Sequence, residues 1–360
     1  MSYTNGLDDP SAHFQTKLYT GNNADTHAIT NDGNSDLQPD WVWIKRRDYD
    51  NQPVLHDSSR GVTKFISTDR SDAEGTISPT TKFQSFDSDG FTTGSTSGAY
   101  NASGEPFVAW QWKANGGTTA SNSDGNITAT VQANPSAGFS IVTYTGNGVQ
   151  TGKTVGHGLG AVPKMIISKD RGATSNVPNW RVYHEAIGNT KYLTLDTTAA
   201  AGTFNDWDNT TPTSSVYSVG GSGGYTPTNT NNTNYVAYVF AEVQGYSRFG
   251  EYTGNGNASG PCIWTGFKPA FVMLKRTNTT SNWVIMDNKR NTINEMETRL
   301  FANLPDAEQT QSTYGLDFLS NGFKLRDTVS QSNGSGSTYI YMAFAESPFT
   351  SSTGIPTTAR

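Results

Sequence analysis

A single cysteine, Cys262, stands in 360 residues. That excludes an intrachain disulfide and leaves a thiolate zinc site without a second ligand of its kind. Charge is also scarce: Asp, Glu, Lys and Arg make up 16% of the chain, against about 25% in an average globular protein. The 25 basic and 31 acidic residues give a formal net charge of −6. No Lys/Arg-rich patch stands out, so the electrostatic footprint of a nucleic-acid partner is missing. No apolar run approaches the roughly 20 residues of a membrane span. The opening Met1-Ser2-Tyr3-Thr4-Asn5-Gly6 has neither a basic n-region nor an apolar h-region, and the expectation is a chain made in the cytoplasm and not exported by the usual route. Helical periodicity is lacking too; Thr292–Asn303 is the nearest approach to a short helix.

What fills the space is Gly (37 residues), Ser, Thr and Asn, with aromatics held at 11%. Disordered polar tracts lack such aromatics. Small polar residues for turns and aromatics for pleated surfaces point to an all-β chain.

Three anchors recur in order along the sequence. Tyr-Thr-Gly-Asn occurs at Tyr19–Asn22, Tyr144–Asn147 and Tyr252–Asn255. A proline followed by an apolar run and a lysine occurs as Pro39…Lys45, Pro163…Lys169 and Pro269…Lys275. An aromatic run closes each copy: Phe107–Trp112, Tyr235–Phe240 and Tyr339–Phe344. Weaker matches fill the intervals. Val54-Leu55-His56-Asp57 aligns with Arg181-Val182-Tyr183-His184 and Val284-Ile285-Met286-Asp287, and Gly90, Gly220 and Gly322 mark a late turn.

The expected architecture is therefore three tandem β-sandwich, jelly-roll-like domains. Residues 14–114, 138–246 and 247–350 form the copies. Residues 1–13 are a candidate mounting arm, 115–137 a Gly/Ser/Thr/Asn-rich linker and 351–360 a disordered tail. The linker reads as a flexible spacer or an extra edge strand, with a short strand at Ile127–Val131. Copies two and three, joined by Val243–Ser247, are expected to pack closely, with copy one on a looser tether. The proline should sit just before its strand and the lysine where that strand returns to solvent. The aromatic run, apolar on both faces, should be a central strand covered on both sides.

Catalytic and metal chemistry find weak footing. Glu242 and Glu346 follow Phe-Ala in two copies, and Asp57, Glu185 and Asp287 fall at related places; charges at strand ends explain all five. His56, His157 and His184 are the histidines placed for general base work. His157 sits in a Gly-flanked turn, and no G-x-S-x-G elbow is present. Asp87-Ser88-Asp89-Gly90 and Asn122-Ser123-Asp124-Gly125-Asn126 resemble fragments of calcium loops but lack the later acidic ligand, so turn formation is the simpler account. No catalytic residue, cofactor or metal site is expected. The one ligand-binding candidate is Trp207 in a polar loop between Asp206 and Asp208, with Tyr225 nearby. Exposed rings framed by carboxylates and amides hold sugars, although a cap on the sandwich end is the simpler account of Trp207.

The segments Tyr144–Gly148, Gly156–Ile167, Asp9–Gln15, Phe107–Lys113 and Gly266–Met273 resemble a module of tail-fibre-like structural proteins of marine bacteriophages of the cyanophage and pelagiphage kind. The resemblance runs through all three copies. It implies a virion structural protein, assembled in the host cytoplasm, that contacts the host surface as a tail or head fibre-type appendage. Implied partners are other virion proteins, further copies of the chain (a trimer by analogy with fibres) and host surface polysaccharide. Nucleic acid and membrane insertion are not among them. Two alternatives stand beside this: a capsid decoration or joining protein, and a glycan depolymerase of the tailspike kind.

Overall fold

The computed structural model describes residues 7–95, 98–172 and 178–358. The chain is all-β. Among the described residues its only helical turns are two 3-10 turns, Pro10–Ala12 and Glu185–Ile187. Thr292–Asn303 holds no helix; it contains the strand Thr298–Phe301, whose four side chains are all buried.

One strand order is used three times, always antiparallel. The first sheet runs Phe14–Thr20, Pro106–Trp112, Trp41–Arg46, Val54–Asp57, Lys64–Ser67, Gly75–Thr76. The second runs Phe139–Thr145, Asn234–Ala241, Pro163–Asp170, Arg181–His184, Lys191–Thr194, Gly202–Thr203. The third runs Ser247–Thr253, Thr338–Pro348, Phe267–Arg276, Trp283–Asp287, Thr298–Phe301, Gln309–Thr310. Each is backed by a smaller sheet. These comprise His27–Ile29, Gly90–Thr93 and Phe83–Asp87; then Lys153–Gly156 with Val216–Val219; then Cys262–Trp264, Gly322–Leu325 and Leu316–Leu319. The stretch 115–137 carries Ala120–Asn122 and Ala129–Asn134, which extend the second sheet at its Phe139–Thr145 edge. The extra-edge-strand reading of that stretch holds and the flexible spacer does not.

The aromatic runs show why both faces are apolar. One face of each packs against the smaller sheet of its own unit: Phe107 and Ala109; Tyr235, Ala237 and Val239; Tyr339, Tyr341 and Ala343. The opposite faces, Val108, Trp110 and Trp112, then Val236, Tyr238 and Phe240, then Ile340, Met342 and Phe344, all enter one common core. The three units therefore surround a shared centre instead of lying in a row. Rings close the circle: Trp41 stacks on Tyr238 at 4.6 Å, Phe240 tilts on Phe249 at 5.9 Å, and Phe344 stacks on Phe14 at 5.3 Å. Copy one is not on a tether. Its junctions with the other two copies are built like the junction between them.

The repeat lysines make those junctions. Lys45, Lys169 and Lys275 are 1%, 1% and 0% exposed, contrary to the expectation that each returns to solvent. Lys45 donates to Asn51 O and, across the junction, to Pro305 O at 2.5 Å. Lys169 donates to Pro178 O and to Ser71 O at 2.8 Å. Lys275 donates to Ser281 O and to Thr198 O at 3.0 Å. First onto third, second onto first, third onto second: the pattern is cyclic. Indole N–H groups reinforce it, with Trp180 donating to Ser67 O, Trp283 to Thr194 O and Trp110 to Asp287 Oδ2. Burying an ammonium or an indole N–H is costly without an acceptor, and each of these three lysines and three tryptophans finds one on the neighbouring unit.

The Tyr-Thr-Gly-Asn turns are equally structural. Each tyrosine stacks on the first aromatic of its closing strand, at 5.0, 5.0 and 4.9 Å. Each donates its hydroxyl to a carbonyl, of Tyr100, Thr228 or Ser332. The next residue in each case is an asparagine, Asn101, Asn229 or Asn333, whose side-chain oxygen accepts from the turn asparagine's N–H. The glycine is required by close approach: a Cβ on Gly21, Gly146 or Gly254 would lie 2.1, 2.3 or 2.5 Å from a carbonyl oxygen.

Three smaller expectations are corrected. Pro163 starts its strand, whereas Pro269 lies inside Phe267–Arg276 where the register shifts, a bulge that tolerates a missing donor. Residues 7–13 are packed, with Leu7 in the common core and Asp9 capping Pro10–Ala12; residues 1–6 of the expected arm lie outside the described residues. The described part of the tail is hydrogen-bonded. Thr357 N donates to Phe349 O, and Ser352 bonds Asp8.

Candidate functional site

The sequence-based ligand candidates gather in the second unit, where loop 204–209 faces the hairpin 220–226. Trp207 does not present its ring to solvent. It is 1% exposed, edge-on to Tyr183 at 5.8 Å, within the inner core of its unit. Capping the sandwich end is its role, and a sugar platform at Trp207 is ruled out by that burial. Asp206 is fully buried. Asp208 shapes the loop, accepting from Gly152 N at 2.6 Å with its own backbone at φ 50°. Tyr225 alone of the four is exposed, at 45%, lifted on the Gly223-Gly224 hairpin tip and tilted against Phe204 at 5.8 Å.

A residue the motif search missed organises the cluster. Arg181 occupies a position that is Val54 and Val284 in the other copies, and a charge in an otherwise apolar strand position was the available signal. Its guanidinium lies over the Tyr192 ring at 4.2 Å, 3.5 Å from Asp206 and 3.4 Å from the Tyr225 hydroxyl. Neither Asp206 carboxylate oxygen has a hydrogen-bond partner. Burial pushes the Asp206 carboxyl up to about 6, with Arg181 opposing the shift. Chemically, this is a buried, charge-balanced pair beneath an exposed tyrosine. It can anchor that tyrosine; it offers no free base within reach of solvent.

The other polar candidates are likewise engaged. Asp57 pairs with Arg60 and accepts from Tyr238, and Asp287 pairs with Arg290 and accepts from Trp110. His184 contacts Tyr341 O, and His157 is buried beside Thr213 O and accepts from Leu159 N. His56 stacks on Phe83 at 4.3 Å and meets the Tyr100 hydroxyl. Asp87 accepts from Ser85 and Thr92, and Asp89 from Leu37 N, as turn-formers do. Among the described residues no group of three or more His, Cys, Asp or Glu side chains is placed to hold a metal. Glu185 pairs with Lys164 and Glu242 with Arg248 on the surface. Glu346 borders an open cleft of about 320 Å³ between the first and third units, with Asp32, Lys289 and Asn288.

One protein family matches the chain, a domain of unknown function (DUF7483), over residues 9–348. No curated protein and no solved structure matches it.

Proposed function

The chain belongs to the DUF7483 family, and we propose that it is a non-catalytic bacteriophage virion protein, a fibre-type appendage module that contacts the host surface. The observation that carries this reading is where the repeated polar groups go. The three repeat lysines join the units into one closed body, and the three turn tyrosines and three asparagine pairs lock turns within the units. Function in a fold is argued from sites. The exposed loops and outer sheet faces also differ between the units, as suits a rigid module that displays recognition surfaces. The family match spans residues 9–348 and so all three large sheets, which supports reading the closed body as one functional unit. The resemblance to marine phage fibre modules supplies the setting, and partners of that setting are other virion proteins and host polysaccharide. Weak contacts multiplied over many copies on a particle suffice for attachment. The test is peptide mass spectrometry and immunogold imaging of purified particles. Label on appendages is the expected outcome; label confined to capsid faces indicates a decoration protein, and absence from particles overturns the proposal.

A further inference from the structure

Seven of the eight tryptophans are at most 1% exposed, and the eighth, Trp264, is 67% exposed. It lies on Cys262–Trp264, an edge strand of the third unit's smaller sheet. The register explains why the indole is uncovered. Trp264 pairs with Gly322 on the central strand, which has no side chain to lie against it, and Gly322 pairs with Leu319 beyond. A Cβ on Gly322 would stand 2.0 Å from Ile263 O, so the position is held to glycine by the backbone. Successive side chains alternate between faces. Ile263, Phe323 and Phe318 are buried inward, so Trp264 and the half-buried Leu319 point to the outer face, on either side of the buried Gly322. The next row out is polar: Cys262 opposite Lys324, and Lys324 opposite Asp317, which Arg326 holds at 3.4 Å. The corresponding edge positions in the other units are Thr30 and Gly156, so the row belongs to the third copy alone.

We propose that this outer face binds a neutral, β-linked pyranose chain, with one sugar ring stacked on Trp264 and hydroxyls along the chain turned to Lys324 and, one strand further, Asp317. A gluco-configured pyranose has a flat face of axial C–H groups and an equatorial belt of hydroxyls. An exposed indole with a charged row two residues further along the strands, roughly 6.6 Å away, offers a surface for the first and partners for the second. Aromatic rings with a polar edge are suited to such amphipathic ligands. The site gives the adhesion reading a ligand and rests on that reading for its biological meaning, while its chemistry stands or falls separately.

Because the other tryptophans are buried, red-edge emission and acrylamide quenching of the full chain report on Trp264. Titration with cellotetraose and with chitotetraose is expected to shift that emission to the blue and protect it from quenching. Trp264→Ala should weaken binding, measured by calorimetry, at least tenfold without lowering the unfolding temperature, and Trp264→Phe should restore part of it. No change with either sugar at millimolar concentration overturns the site. A blue shift that depends on protein concentration without sugar also overturns it, because the occupant is then a second copy of the chain. Neither result touches the particle-localisation test, so failure of this site and failure of the adhesion reading are told apart.

Discussion

Lys275 has no exposed surface, yet it donates to Ser281 O and Thr198 O across the junction of the second and third units. Burial pulls its ammonium down to about 7, and Lys45 and Lys169 down to about 8. Each folded pKa lies below the 10.5 of the unfolded chain, so between about pH 7 and 10.5 the unfolded state binds more protons and stability rises with pH. Lys275→Met should flatten that rise in urea unfolding series, and it should cost about 1–2 kcal/mol at pH 8 by leaving Ser281 O without its donor, while Thr198 O keeps Ser281 N. A variant as stable as the parent would show that the Ser281 carbonyl needs no donor. His184 tilts the acid side: burial lowers it to about 4, so the unfolded chain protonates first as pH falls below 6.5 and stability drops through that window.

At the scale of elements, the Tyr-Thr-Gly-Asn turn was legible as a repeat, but its partner was not. The asparagine that closes it lies 82 residues downstream for Asn147 and has only one equivalent residue per copy to mark it. Asn229 receives Asn147 N and donates to Asn147 Oδ1 and Val149 O. Asn229→Ala should therefore cost about 1–2 kcal/mol, since a fully buried amide gives up three hydrogen bonds that fix the turn. Gly146→Ala should act in the same direction, because the added Cβ meets Thr230 O. Chemical denaturation of both variants checks this, and an unchanged midpoint would remove the turn from the list of structural locks. Arg181 shows the reverse case. Its charge within an apolar strand position was visible in the sequence, but its partner Asp206 and its cover Tyr225 come together only through loop packing.

For the whole molecule, the shared core predicts one cooperative unit. Trp41, Phe139, Tyr238, Phe240, Phe271 and Phe344 come from all three copies and leave no unit with a core of its own on that side. Calorimetry of the full chain should show a single transition with matching van't Hoff and calorimetric enthalpies. A fragment of residues 138–246 should fail to unfold cooperatively, because its inner face loses its cover. Three resolved transitions, or a stable fragment, would restore the picture of independent domains.

The sequence alone determined the β class, the threefold repetition and the alternation of strands and turns. Those follow from local chemistry: Gly and Asn set turns, and β-branched and aromatic runs set strands. The two-sided apolar runs also announced central strands. Tertiary structure decided what covers the second side. A row of sandwiches and a ring around one core demand the same apolar pattern, and only the packing distinguishes them. It likewise decided that the repeat lysines are buried, because a lysine after an apolar run looks the same whether it ends in water or on a neighbour's carbonyl. Trp207 and Trp264 make the same point in opposite directions. The tryptophan in the polar loop is buried, because the loop folds its ring inward onto Tyr183. The one in an apolar strand is exposed, because its neighbour across the sheet is a glycine.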